Sequence, residues 1–364
     1  MRLRIFAAES FLAMTRASSN DLDYLATRLH ARRSRMAERE RLDELCRLRK
    51  LPELGRAIFP GAAISAAKDF QRRLVQALAA EMAGCLKHLD ADDQDFVAWL
   101  LARLQIENAK ILLRGFLHRT PLEDLQPRLV SLPNGLTLDA PALVAAKSLD
   151  EFAGLLPAGR PRTRLRALLA GLRAPSPFLL EAALDAGYFE ELLDRNNRLA
   201  SAESEIVKPL VAQETNLFQF LLVLRGRFHF GFPAETLLPL CISGKDDGEW
   251  LNAVSSASDV LSAAKSAIGI VVDELPAAGR TGAGPAAIEI STLEALAWQR
   301  YLRLANSAFR RSHLGVGAVA GYFGVRRMEI ANLTTLSESI RLGVDERETR
   351  ARLLPRMDWE AAHV

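Results

Sequence analysis

The sequence predicts an all-α protein, and three observations carry that prediction. Helix-start signals recur along the chain, apolar residues fall at helical spacing, and alternating β-branched runs of strand type are scarce. The best strand-like run, "IGIVVDEL" at 268–275, is short.

Among the start signals, Thr120-Pro121-Leu122-Glu123 reads as a capping box with Pro at the first helical position. Ser148-Leu149-Asp150-Glu151 and Ser291-Thr292-Leu293-Glu294 repeat the S-x-x-E form, and Ser176-Pro177 is a further start. Gly343 followed by Asp345-Glu346-Arg347-Glu348 reads as one helix ending and another beginning.

A chain of 364 residues has room for two or three domains. With 49 % hydrophobic and 25 % charged residues it has the composition of an ordinary globular protein. A net charge of +3 argues against a dedicated nucleic-acid binder, where a stronger basic balance is usual. Cys46, Cys85 and Cys241 are far apart and form no C-x-x-C pair, which points to a reducing compartment such as the cytoplasm. No stretch approaches the roughly 18–20 apolar residues of a membrane span. The N-terminal apolar run is interrupted by Glu9 and does not read as a signal peptide. The expectation is a soluble protein that can sit beside a membrane.

The chain also repeats. "LQIENAKILLRGF" (104–116), "VAQETNLFQFLLVLRGRF" (211–228) and "FGVRRMEIANLTTLSESIRLGV" (323–344) align on Asn108, Asn216 and Asn332. Three residues earlier stand Gln105, Gln213 and Glu329, on the same helical face. Each copy then reaches an Arg and a Gly: Arg114-Gly115, Arg225-Gly226, and Arg341 with Gly343. A second landmark, Leu132-Pro133 and Leu238-Pro239, recurs at a similar interval. The expected division is three helical units, 1–131, 132–241 and 242–364. The pairs Gln105/Asn108, Gln213/Asn216 and Glu329/Asn332 are expected to be buried hydrogen-bonding devices that tie one helix to the next, since a buried amide without a partner costs roughly 1–3 kcal/mol.

No catalytic constellation is found. The six histidines show no metal-ligand spacing, and there is no HExxH, G-x-S-x-G or Walker motif. "GRTGAGPAA" (279–287) lacks a preceding strand and reads as a loop rather than a phosphate cradle. No catalytic residue, cofactor, metal or small-molecule substrate is therefore expected. The run at 28–50 holds nine Lys/Arg against four Asp/Glu, and Glu40, Asp43 and Glu44 lie at helical spacing to Arg47. It reads as a solvated or partner-facing helix, with Arg32, Arg33, Arg35, Arg114, Arg225 and Arg326 as candidate partner-facing residues. A second basic run at 159–173 could likewise face acidic partners or an anionic membrane surface.

With "IENAKILLRG", "ETNLFQFLLVLRG" and above all "GYFGVRRMEIANLTTLSESIRLGVDERETRARLLP", the chain resembles the C/d family of central-stalk subunits in V-type and A-type rotary ATPases. That family's C-terminal unit carries K-x-x-E-x-x-N-φ, matched here by Arg326, Glu329, Asn332 and Leu333. "LDELCRLRKLPEL" resembles its first unit. Two departures stand out: Gln105 and Gln213 replace acidic residues, and the 279–290 loop is long.

The resemblance implies three similar helical domains in a pseudo-threefold funnel, on the cytoplasmic face of a proteolipid ring. The protein would be peripheral to the membrane and hold the central rotor stalk in its socket. It would couple ring to shaft in a proton- or sodium-translocating ATPase or ATP synthase without catalysis of its own. The readings that compete with this are a generic helical repeat scaffold and an RNA-binding module using residues 28–50.

Overall fold

The computed structural model describes residues 19–172, 176–242, 290–312 and 314–354, with scattered positions between 252 and 262. The strand-like run at 268–275 and the glycine-containing stretch at 279–287 lie outside the described residues. Among the described residues there is helix, turn and loop, and no strand; the protein is all-α.

Six long helices form three hairpins: α4 (Ala67–Leu86) with α5 (Ala91–His118), α10 (Pro177–Arg198) with α11 (Ser201–Leu224), and α13 (Ile290–Arg311) with α14 (Val316–Leu342). Three helices precede the first hairpin: α1 (Ser19–Arg33), α2 (Arg39–Cys46) and α3 (Leu51–Ile58). Shorter helices α6 (Leu122–Leu125), α7 (Ala140–Val144), α8 (Leu149–Leu155), α9 (Arg160–Gly171), α12 (Ala234–Leu237) and α15 (Glu346–Ala351) fill the intervals and the end.

Local chemistry explains several boundaries. Asp90, Ser148, Ser176 and Asp345 each cap a helix by accepting a backbone N–H three residues on. Gly343 ends α14 in the left-handed region at φ 68°, and Val344 N–H returns to the Ser339 carbonyl at 2.9 Å. The Thr120 box differs from expectation: Pro121 holds the cap position of the four-residue α6 without a side-chain bond. The Ser291 box lies inside α13, which already runs from Ile290.

The hairpins pack in a cycle. α5 lies on α10, α11 on α13, and α14 returns to α4, which closes a ring. α13 and α14 pack closely, because a Cβ on Gly321 would stand 2.4 Å from the Phe309 nitrogen and 2.7 Å from the Ala305 carbonyl. The core includes the fully buried Phe70, Phe96, Phe152, Tyr188, Phe220 and Tyr322.

One device recurs in all three copies. Asn108 donates to the Val130 carbonyl at 2.8 Å and accepts from its N–H at 2.9 Å, with 22 residues between them. Asn332 does the same with Leu354, at 2.6 and 2.8 Å and again 22 residues on. The middle copy uses Gln219, which accepts from Ile242 N–H at 2.7 Å, 23 residues on. Each clip closes over a tight turn: Leu129 N–H to Gln126, Cys241 to Leu238 and Leu353 to Arg350.

The register expected from the sequence is therefore corrected at its second copy. Asn216 is exposed, one turn before the residue that clips. The second landmark shifts as well. Leu238-Pro239 lies in the turn that matches Gln126-Pro127, and Leu132-Pro133 falls beyond the first clip.

Candidate functional site

The three clips place α5, α11 and α14 in a common register. Twelve residues before the clip residue stand Phe96, Val207 and Ala320; eight before stand Leu100, Val211 and Gly324; five before stand Arg103, Glu214 and Arg327. All nine line one cavity of about 310 Å³. The three helices thus run parallel around a shared axis, meeting through positions at the 4-3 spacing of a coiled-coil seam. Apolar residues surround the axis over two turns, and the third level is charged.

At that level the same repeat position is Arg, Glu and Arg. Arg327 reaches Glu214 at 2.8 Å and the Tyr301 hydroxyl at 3.2 Å. Arg103 pairs with Asp185 at 2.7 Å and Glu107 at 2.8 Å, and Lys110 joins both carboxylates at 2.7 and 3.1 Å. Burial acts to lower the Arg103 and Arg327 values, but Asp185 and Glu214 outweigh it and both guanidiniums are held further up. Arg103 also lies over the Tyr188 ring at 5.3 Å, and Arg327 over Tyr301 at 5.6 Å. Burial pushes the phenols of Tyr188 and Tyr301 upward, so both remain neutral donors. These groups also line a second cavity of about 360 Å³ between α10, α11 and α13. Each of these charges has an opposite partner. The arrangement locks three helices together and, among the described residues, offers neither a free cation nor a nucleophile–base pair.

The rim carries a matching set. Arg114 on α5 holds Glu181 on α10 at 2.5 Å, and Arg225 on α11 holds Glu294 on α13 at 2.5 Å. The equivalent Glu338 on α14 accepts from Gln71 on α4 at 2.7 Å. One repeat position therefore bridges each hairpin to the next around the ring.

The remaining residues singled out by sequence separate into inward and outward sets. Gln105 donates to the Leu136 carbonyl at 2.9 Å and Gln213 to Ala297 at 3.2 Å; both are buried. Glu329 is buried and accepts from Ala37 N–H at 2.6 Å and from Arg326. Arg326, expected to face a partner, is instead buried between Glu329 and Glu81, the latter at 3.5 Å. Arg32 and Arg33 also turn inward. Arg32 lies 3.8 Å from Glu81, while Arg33 meets Asn306 at 2.7 Å and Glu38 at 3.0 Å. Arg35, Arg114 and Arg225 remain exposed.

Sequence reasoning missed Gln219 and the axial residues Arg103, Glu214 and Arg327. The signal was the constant distance to the Arg-Gly pair: Asn108 and Gln219 both stand seven residues before their glycine.

Among the described residues no group of His, Cys, Asp and Glu is placed to hold a metal, and no helix is long and apolar enough to cross a membrane. Comparison with curated proteins returns no match. Comparison with protein families matches residues 25–352 to the family described as ATP synthase (C/AC39) subunit. That span holds all three hairpins, the axial residues and the first two clips complete. The chain belongs to the ATP synthase (C/AC39) subunit family, the C/d family of the V- and A-type rotary ATPases.

Proposed function

We propose that this protein is the non-catalytic central-stalk component that couples a membrane proteolipid ring to the rotor shaft of a proton- or sodium-translocating ATPase or ATP synthase. Membership of a family of structural rotary-ATPase subunits over residues 25–352 is the observation that carries the reading. The cyclic packing of three hairpins supports it, because a torque-bearing part needs rigid helix packing and paired charges rather than perturbed catalytic groups.

In this reading the chain divides into units 1–131, 132–241 and 242–364, arranged as a pseudo-threefold funnel. The buried Gln105/Asn108, Gln213 and Glu329/Asn332 groups, with Gln219 in place of Asn216, hold each unit together. Arg35, Arg114 and Arg225 are the basic residues left to face partners. The protein sits peripherally on the cytoplasmic face of the membrane, on the ring, with the stalk in its socket. The inward turn of Arg32 and Arg33 speaks against RNA as the partner of the basic run.

Co-purification from native membranes tests the assignment. A tagged chain should bring down proteolipid, stalk and catalytic ATPase subunits, identified by mass. Recovery of the chain without any other ATPase component would refute it.

A further inference from the structure

We propose that the ring is split, and that its α4–α14 seam is a clasp that opens and closes while the other two seams stay shut. Two observations carry this. The chain itself joins α5 to α10 and α11 to α13, but α4 and α14 come from opposite ends of the sequence and close on each other without a covalent link. This seam is also the one built around a buried, incompletely bonded ion network. Glu81 on α4 accepts from the Tyr322 hydroxyl at 3.0 Å and pairs with Arg326 at 3.5 Å. Glu329 holds Arg326 and the Ala37 N–H, which straps the α1–α2 connection across the joint. Yet Arg32 Nη1, Arg33 Nη1 and Arg326 Nε are buried there with no hydrogen-bond partner.

A half-satisfied buried network gives back part of the gain from apolar packing, and opening the seam rehydrates each of its charges. The α2–α15 contacts add two ion pairs across the same joint, Arg49–Glu346 at 3.0 Å and Arg350–Asp43. The closed seam is thus fastened mainly by polar links, which break and re-form without unfolding a helix. A ring with one such joint can widen around a rod on its axis and then grip it. The proposal goes beyond the coupling reading and applies to the isolated full chain, whatever that chain assembles with.

Thiol labelling tests it through the repeat itself. Ser337 is fully buried on α14 and accepts from Gln71 of α4 at 3.0 Å. Leu113 and Leu224 occupy the same repeat position in the other two copies and are equally buried. Ser337→Cys, Leu113→Cys and Leu224→Cys would each be exposed to a maleimide, with site-resolved detection by peptide mass. Opening predicts that the thiol at 337 reacts roughly tenfold faster than the other two, at a rate insensitive to low denaturant. Equal rates at the three positions, each tracking global unfolding, would overturn the clasp. Adding Glu81→Gln to Ser337→Cys provides a second reading that does not depend on the leucine variants folding. It should speed labelling several-fold, and an unchanged rate counts against the proposal.

Discussion

Arg327 on α14 and Glu214 on α11 occupy the same position of the internal repeat and meet beside the ring's axis at 2.8 Å. Both are largely withdrawn from water, with Glu214 at 5 % exposure, so the pair stands or falls as a unit. Removing one partner of such a pair costs about 3–5 kcal/mol, because the other charge is left buried. Glu214→Gln should therefore lower the denaturation midpoint sharply. The double variant Glu214→Leu with Arg327→Met should recover much of the loss. Chemical denaturation of the four proteins in a double-mutant cycle checks this.

The corrected register makes a second prediction. Asn108→Leu and Asn332→Leu each leave a backbone N–H and carbonyl without their partner, at a cost of about 2–3 kcal/mol. Asn216 is exposed, and Asn216→Leu should change stability by less than about 0.5 kcal/mol. Urea midpoints at constant m-value distinguish the two classes. A large loss at Asn216 would restore the alignment drawn from sequence.

Asp93 supplies a pH dependence. It stands in the first turn of α5, near Asp90, Asp92 and Glu203, and Glu203 itself accepts from Gly317 N–H at 2.8 Å. Burial, then the neighbouring carboxylates, pushes Asp93 up to about 7. The folded chain therefore binds this proton more tightly than the unfolded chain does. Its contribution to stability falls as pH rises from about 4 to about 7 and is level above that. Allowing for solvent screening, the effect is on the order of 1 kcal/mol. Asp93→Asn should raise Tm by about 2 °C at pH 8, with little change at pH 5. Thermal melts across that range provide the check.

The all-α class and several helix ends were legible because they depend on neighbouring residues. Ser148, Ser176, Asp345 and Gly343 act within one turn, and the sequence contains everything they need. The repeat was legible in outline and misplaced by three residues at its middle copy. A slip of three turns a helix by only ~60° from register, so the apolar stripe still matches and periodicity cannot detect the error. Gln219 was hidden for a second reason, since it is a glutamine where the other two copies carry asparagine. Arg326 was read as a surface cation because arginine usually is one. Its burial depends on Glu81, more than two hundred residues away in the chain, and no local pattern encodes that contact. The axial position escaped notice because Arg, Glu and Arg share no chemistry, although they share a place.

Coupling itself is the most direct test of the account. Membrane vesicles depleted of this protein should hydrolyse ATP without building an ion gradient, and adding the purified full-length chain should restore ATP-driven ion uptake. The chain alone should hydrolyse no ATP. Full ion uptake by the depleted vesicles, at the same ratio of ions moved to ATP hydrolysed, would contradict the coupling role.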